Sequence, residues 1–165
     1  MPKEFVIPKE KTYEQALNSL KRLCAKAEKS SGDALRLMYK WRVKDSDKQK
    51  ILQELTASRF IDDNRYAQAF TREKINLSGW GVYKIKAALA AKGISRDIIE
   101  QTLSEVDSEK LTDNLKEKLQ KKSRNISSTT LDVYKVREKL IRYGLSLGYE
   151  LDQVKNIISQ LDADS

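Results

Sequence analysis

Apolar residues recur at helical spacing along almost the whole chain, and short polar or glycine-containing joints interrupt the pattern. In one typical segment four apolar residues share a helical face: Ala34, Leu37, Met38 and Trp41. The joints contain glycine or side chains that cap helices, as in Ser30-Ser31-Gly32-Asp33, Asp45-Ser46-Asp47 and Ser78-Gly79-Trp80-Gly81. This alternation predicts a fold made only of short helices.

One pentapeptide recurs after 51 residues, since Val82-Tyr83-Lys84-Ile85-Lys86 returns as Val133-Tyr134-Lys135-Val136-Arg137. The same displacement carries Leu89 to Leu140 and Gly93 to Gly144. Applied upstream, it places Arg42 where the turn glycine is expected, so the first copy is predicted to have a different turn. We therefore predict three tandem three-helix units over residues 13–59, 60–107 and 108–161, after a loose leader at 1–12.

The composition agrees with a repeat array. Apolar residues make up 39% of the chain and charged residues 34%, which suits small units that expose much of their surface. The apolar residues are periodic and include two tryptophans, so a wholly disordered chain is not favoured. We expect an all-α protein built as an elongated array of three tandem three-helix, helix-turn-helix-like repeats.

A net charge of +8 favours an anionic partner, with nucleic acid first and a membrane surface second. Between Lys110 and Arg142 ten basic residues stand against four acidic ones. Lys135, Lys139 and Arg142 fall near one face of a predicted helix that also carries Tyr134. Such a face is suited to following phosphates and stacking a base, although a solvated charged face has the same pattern.

The chain offers little for catalysis. It has no histidine and a single cysteine, and neither a P-loop nor a G-x-G-x-x-G pattern is present. Asp62 and Asp63 are adjacent carboxylates, but they directly precede a predicted helix and are better read as N-terminal caps than as a metal or acid–base pair. We expect no enzymatic activity, no metal and no cofactor, although a serine or lysine nucleophile stays open on composition alone.

Three further features bear on the class of protein. The stretch from Leu89 to Ile99 imitates a helix-turn-helix, which leaves a DNA-binding protein acting on duplex DNA as the alternative function. The helix that would read the bases carries Asp97, Glu100 and Glu105, which suits a phosphate-lined groove poorly. No stretch has the length and apolarity of a membrane span, and a lone Cys24 excludes an internal disulfide, so a cytoplasmic protein is expected.

Several of these residues resemble the central repeat of the RecX regulatory proteins. They are Phe60-Ile61-Asp62-Asp63-Asn64-Arg65-Tyr66-Ala67, Trp80-Gly81, Lys84-Ile85, Leu89 and Lys92-Gly93-Ile94. The Ser31 to Trp41 stretch resembles the first repeat of that family, and the match is looser from 108 to 161. The resemblance implies a helical array that binds RecA filaments, in their groove or at their growing end, and damps RecA ATPase, strand exchange and coprotease activity. It also implies DNA binding and a role in recombination, DNA repair and the SOS response.

From the residues and the resemblance together we predict a monomer whose partners are the RecA filament and non-specific DNA, single-stranded or duplex, with no membrane. The predicted partner-binding surface is basic: Lys84, Lys86, Lys92, Arg96, Lys135, Arg137, Lys139 and Arg142. A second set of motif residues is expected to be architectural: Asp62, Asp63, Gly81, Leu89 and Gly93.

Overall fold

The structure, a computed structural model, describes residues 1–7, 9–127 and 132–164, and all regular secondary structure in these ranges is helical. The α-helices are α1 (Tyr13–Lys26), α2 (Ser31–Lys40), α3 (Asp45–Ala57), α4 (Asp63–Glu73), α5 (Val82–Ala91), α6 (Arg96–Ser104), α7 (Ser108–Ser127), α8 (Val133–Ser146) and α9 (Leu151–Ala163). A π-helical turn, Lys74–Ser78, continues α4. The predicted all-α fold of tandem three-helix repeats is confirmed.

The molecule exposes 11301 Å² of surface. A compact monomer of this mass would expose about 8,400 Å². Small units joined end to end produce such an excess, because each unit touches only its neighbours, and the exposed residues 1–7 add to it.

Polar residues in the joints begin the helices. Thr12 and Ser30 form reciprocal capping boxes with Gln15 and Asp33 at the starts of α1 and α2. Asp62 caps α4 as predicted, because its carboxylate accepts the Arg65 backbone N–H at 3.1 Å. These caps satisfy backbone donors that the first turn of a helix leaves without partners.

The turn between the second and third helices is the same in every unit, which corrects two expectations. Arg42, Gly93 and Gly148 all have positive φ, at 56°, 77° and 96°. The prediction of a different first turn was wrong, since Arg42 adopts the left-handed conformation despite its side chain. The equivalence of Gly93 with Gly144 was also wrong: α8 is four residues longer than α5, so Gly144 stays helical and the turn falls at Gly148.

Helix α7 runs further than the polar sequence suggested. The stretch from Ser123 to Thr130 is rich in serine, threonine and asparagine and predicts a joint, but the helix continues to Ser127, and residues 128–130 lie outside the described residues. Ile126 is buried and lies seven residues after Leu119, so it extends the apolar stripe of this helix by two turns. That burial outweighs the weak helical preference of the serine and asparagine around it.

The buried apolar residues form two clusters. The smaller one lies within α1, α2 and α3 and also takes in Phe60 and Ile61, beyond the end of α3. The larger one runs without interruption from Tyr66 in α4 to Ile158 in α9. The second and third groups of helices therefore share one core, whereas the first has its own.

The first joint between groups is polar and closely packed. The Ser30 hydroxyl donates to the Lys92 carbonyl at 2.7 Å, and the Asp63 carboxylate accepts both the N–H and the hydroxyl of Ser31. Asp63 thus caps α2 of the preceding unit rather than its own helix. A Cβ at Gly32 would overlap the Lys92 carbonyl, so only glycine permits this approach.

The second joint repeats the arrangement at the start of α5. The Gly81 N–H donates to the Leu147 carbonyl at 2.7 Å, and the Tyr83 N–H donates to the Gly148 carbonyl at 3.0 Å. A Cβ at Gly81 would overlap the Gly148 carbonyl. In both joints the start of the second helix of one unit receives the turn of the next unit.

Two side chains of the third unit complete this joint. The Asn114 amide donates to the Ile75 carbonyl in the π-helical turn at 2.9 Å. The buried Tyr149 hydroxyl donates to the Gly79 carbonyl at 2.9 Å, and burial raises the pKa of this phenol to about 12.

The equivalent carbonyl of the first unit belongs to Trp41, and the segment before α1 occupies it. The Lys11 N–H donates to this carbonyl at 3.0 Å, and Glu10 lies 3.9 Å from Arg42 in the same turn. The N-terminal segment therefore takes the place that a preceding unit would have.

Candidate partner-binding surface

Helix α8 presents the most regular part of the predicted basic surface. Asp132 caps it by accepting the Tyr134 N–H at 2.7 Å, and Leu140 turns its apolar side into the shared core. Lys135, Lys139 and Arg142, at i, i+4 and i+7, lie on one side and are exposed. Tyr134 at the start of the helix is 83% exposed, so an aromatic ring adjoins the cationic face.

Four of the eight predicted basic residues are paired with carboxylates. Their nitrogen–oxygen distances are 3.5 Å for Lys92–Asp33, 2.8 Å for Arg96–Glu100, 3.7 Å for Arg137–Asp162 and 3.0 Å for Arg142–Glu138. Exposed pairs of this kind contribute little to stability, so a phosphate could replace the carboxylate at small cost.

The Lys92–Asp33 pair differs because Asp33 is largely covered. Burial alone would raise the pKa of this carboxyl, but hydrogen bonds from Ser30 and Arg36 and the charge of Lys92 outweigh it and lower the pKa. Since Lys92 lies in the turn of the second unit, this pair belongs to the first joint. We therefore assign Lys92 a structural contribution alongside its predicted contact with a partner.

The other four predicted residues are lysines without a carboxylate partner among the described residues. Lys86, Lys135 and Lys139 are exposed. Lys84 is half-buried, and its ammonium lies 4.5 Å from the centroid of the Trp80 ring. These uncompensated charges are the part of the surface best able to attract an anionic partner.

The predicted residues do not form one patch on one element. Lys84 lies at the second joint beside Gly148, whereas Lys92 follows α5 at the first joint and Arg96 begins α6. The four residues of α8 form a separate group on the third unit. Because the predicted basic residues are spread over two units, they can contact an extended partner but not a compact ligand.

Sequence reasoning missed the lysines gathered around Trp80. Lys74 lies 4.8 Å from the ring centroid, and the Lys118 side chain passes directly over Gly79. Trp80 also packs edge-on against Phe70, with 6.2 Å between ring centroids. In the sequence this site is visible only as a tryptophan between two glycines, Gly79 and Gly81, which predicts a turn. Nothing in that pattern shows that α7 brings Lys118 close to it.

The motif residues lie in caps, turns and close contacts. Asp62 and Asp63 cap helices, Gly81 makes the close approach of the second joint, and Gly93 forms the turn after α5. Leu89 is fully buried in the shared core, and its carbonyl accepts the Ile94 N–H at 3.2 Å. These positions fix the architecture that places the basic side chains.

The described ranges contain no group of three or more histidine, cysteine, aspartate or glutamate side chains arranged to hold a metal ion. In the same ranges no helix has the length and apolar character needed to span a membrane.

Comparison with known proteins points to one family. A family model described as the RecX second three-helix domain matches residues 62–103. The regulatory protein RecX of Clostridium botulinum strain Alaska E43 is 35% identical over 91% of this chain, and the alignment spans 68% of that protein. The RecX protein of Lactococcus lactis subsp. cremoris MG1363 is 31% identical over 74% of this chain and 46% of its own length.

Two solved structures share the fold. The crystal structure of RecX from Lactobacillus salivarius superposes with a TM-score of 0.80 at 20% identity and covers 92% of this chain and 97% of its own. A crystal structure of another regulatory protein RecX gives a TM-score of 0.81 at 19% identity, over 89% of this chain and 73% of its own. Several of the curated relatives extend well beyond the aligned region, which spans about half of their length. By the extent of the C. botulinum match in particular, this chain belongs to the RecX family of regulatory proteins.

Proposed function

We propose that this chain is a non-enzymatic cytoplasmic regulator that binds RecA–DNA filaments as a monomer and lowers RecA ATPase, strand exchange and coprotease activity. Membership of a family of regulatory proteins supports a role exerted on another protein. The observation that carries the proposal is the exposed cationic face of α8, with Lys135 and Lys139 uncompensated and Tyr134 beside them.

This surface suits a nucleoprotein filament for a physical reason. Phosphates attract lysines through long-range charge and release counterions on contact, which needs no closed pocket. Lysines spread over α5 and α8 can follow a repeating polyanion, whereas a small ligand would need them to converge. In this proposal the lysines contact the DNA, and the remaining exposed residues of the array contact RecA.

The first test is a titration of the chain into RecA and single-stranded DNA with ATP, using RecA from the same organism. We expect the DNA-dependent ATPase to fall at or below one regulator per RecA. Full ATPase activity at a several-fold excess of the chain would rule the function out.

A variant with Lys135→Glu and Lys139→Glu tests the α8 face. We expect weaker binding to the filament. The slope of log K against log salt concentration should become shallower by about 1.4, since each lost contact with a phosphate of single-stranded DNA removes about 0.7. The matched control is Lys50→Glu with Lys155→Glu, two exposed lysines on α3 and α9 that carry no ion pair in the described part of the chain. Equal losses in both double variants would mean that only net charge matters and would remove α8 from the contact.

The alternative of a sequence-reading helix-turn-helix protein is less well supported. Helix α6, which would enter the groove, exposes Asp97 and Glu100, and its Arg96 is paired with Glu100. Competition between specific and random duplexes distinguishes the two functions, because the filament regulator should be displaced equally by both.

A further inference from the structure

The first unit carries a cationic cleft that lies outside the basic surface described above. It consists of two adjoining hollows along α1, of about 810 Å³ and 510 Å³. Lys11, Ser19 and Arg22 line both hollows, and Trp41 and Lys26 bound the second. The cleft therefore follows α1, and Lys11, Ser19 and Arg22 lie where its two hollows adjoin.

Two cationic groups meet at one buried hydroxyl in this cleft. Ser19 is only 8% exposed, and its oxygen accepts from the Lys11 ammonium at 3.0 Å and from the Arg22 guanidinium at 3.4 Å. The Ser19 hydroxyl makes no hydrogen bond as a donor to any described residue, so its proton is available. An ammonium, a guanidinium and a hydroxyl therefore present donors to the same space.

Lys11 is held in place before any ligand binds. Its backbone N–H donates to the Trp41 carbonyl at 3.0 Å, and its ammonium lies 4.0 Å from the centroid of the Trp41 ring. A lysine on a free stem loses rotamer freedom when it binds, and these contacts have already removed most of that freedom. The charge is consequently preorganised at the mouth of the cleft.

Carboxylates do not neutralise this cluster. Lys11, Arg22 and Lys26 form no ion pair within the described ranges. Glu10, the acidic residue that lines the cleft, is directed toward Arg42 at 3.9 Å. Like charges held close together without a counter-charge repel one another, and an anion in the cleft would relieve that repulsion.

We propose that this cleft binds the phosphodiester backbone of single-stranded nucleic acid. A guanidinium fork and a hydroxyl match the oxygens of a phosphate group, and two adjoining hollows along α1 leave room for consecutive phosphates of one strand. This proposal rests on the proposed function only because both require nucleic-acid binding. It adds a nucleic-acid contact on the first unit to the contact proposed for α8. A flexible acidic protein segment is the competing ligand, and it lacks the tetrahedral oxygens.

The experiment uses the full chain without RecA and a fluorescein-labelled oligothymidylate of about sixteen nucleotides, the upper size of common single-strand sites. Binding is followed by fluorescence anisotropy at several salt concentrations. The test variants are Arg22→Gln with Lys26→Gln, and Ser19→Ala alone. The matched control is Lys50→Gln with Lys155→Gln, which removes the same charge from exposed positions elsewhere.

The double variant in the cleft is expected to bind at least about tenfold more weakly, with the salt slope reduced by about 1.4. Ser19→Ala should weaken binding several-fold and leave the slope unchanged, because a neutral donor is lost. Circular dichroism is the check that each variant is folded. Polyglutamate at equal charge should displace the oligonucleotide poorly.

The proposal is overturned if the cleft variants behave like the control, if wild-type chain does not bind the oligonucleotide, or if polyglutamate competes equally. Failure of the cleft is distinguishable from failure of the proposed function. If only the cleft proposal fails, wild-type chain still inhibits RecA ATPase, and this inhibition depends on the α8 lysines. If the proposed function fails, wild-type chain has no effect on RecA.

Discussion

At the scale of single residues, backbone conformation is the property least visible in the sequence. Arg42 and Arg59 both adopt positive φ, at 56° and 60°. Arginine is not a turn-forming residue, and the left-handed conformation costs an L-residue about 1–2 kcal/mol. The turn after α2 nevertheless forms because Val43 is buried and its N–H donates to the Met38 carbonyl. In the other two units Ile94 and Tyr149 are buried in the same way, and their N–H groups donate to the carbonyls of Leu89 and Gly144.

Replacing Arg42 with glycine is expected to stabilise the first unit by about 0.5–1 kcal/mol. Glycine removes the left-handed strain but adds about 0.5–1 kcal/mol of chain entropy in the unfolded state, so the net gain is smaller than the strain. Urea denaturation measures the difference. Lys44→Gly, two residues later in an extended conformation with φ of −60°, serves as the control and should lower stability. A loss of stability in Arg42→Gly would show that the strain is absent.

Tyr149 makes the stability of the second joint depend on pH in the alkaline range. Its pKa is about 12 in the folded protein and 10.0 in the reference state, so folding favours the neutral phenol. Because the pKa is higher in the folded state, the neutral phenol contributes to the free energy of unfolding, by at most about 2.7 kcal/mol. This contribution is complete below pH 10 and is lost as the pH rises toward 12.

Tyr149→Phe should therefore lose about 1 kcal/mol at neutral pH, because the Gly79 carbonyl loses its buried donor. Above pH 10 the variant should lose stability less steeply than the wild type. The unfolding free energies of both proteins, measured in urea at matched pH, give the comparison in which the shared titration of lysines cancels. Parallel pH curves would contradict the assignment.

At the scale of elements, two close approaches of backbone hold the groups of helices together. Gly32 meets Lys92 and Gly93, and Gly81 meets Gly148 and Tyr149. In both cases the atoms that a new Cβ would meet belong to backbone, which cannot rotate away as a side chain can. These contacts set the orientation of one unit on the next.

Gly81→Ala is expected to destabilise the protein by at least about 3 kcal/mol, and Gly32→Ala should loosen the first joint to a comparable degree. Thermal denaturation and small-angle scattering report the loss of stability and the change in dimensions. Ser46→Ala, an exposed residue in the first turn of α3, is the control and should change stability by no more than about 0.5 kcal/mol. Wild-type stability in Gly81→Ala would mean that the joint yields at little cost.

The elements also show what the sequence could and could not predict. Periodicity predicted α2 and α5 because their apolar residues lie at helical spacing and caps or glycines mark their ends. It failed at the end of α7, where Ile126 alone indicates burial among polar residues. It could not predict that Lys92 pairs with Asp33, since the two residues are far apart in sequence and meet only when the first joint forms.

At the scale of the whole molecule, the two hydrophobic clusters divide the protein unequally. The joint between α1–α3 and the remainder is built largely from polar contacts, including Arg65 with Glu28 at 2.7 Å and Arg36 with the Ala91 carbonyl at 2.9 Å. The joint between the second and third groups lies inside a continuous apolar core. Opening the first group exposes less apolar surface, so it costs less free energy.

Native-state hydrogen exchange should therefore show α1–α3 opening at a free energy about 2 kcal/mol or more below that of α4–α9. Two substitutions of fully buried leucines sharpen the test. Leu20→Ala should lower protection in α1–α3 alone, whereas Leu115→Ala should lower it across α4–α9, each by about 2–5 kcal/mol. A single exchange free energy for the whole chain would show that it unfolds as one unit.

The contact between Lys11 and the Trp41 carbonyl bears on self-association. Each joint pairs two different surfaces, the start of one helix and the turn of the next unit. A head-to-tail contact of this kind generates closed rings or open filaments when it forms between separate molecules. Lys11 occupies that carbonyl on the first turn, while Val133 and Tyr134 at the start of α8 are exposed. We therefore expect the N-terminal segment to block polymerisation at one end, and a chain that begins after Lys11 should show a sedimentation coefficient that rises with concentration.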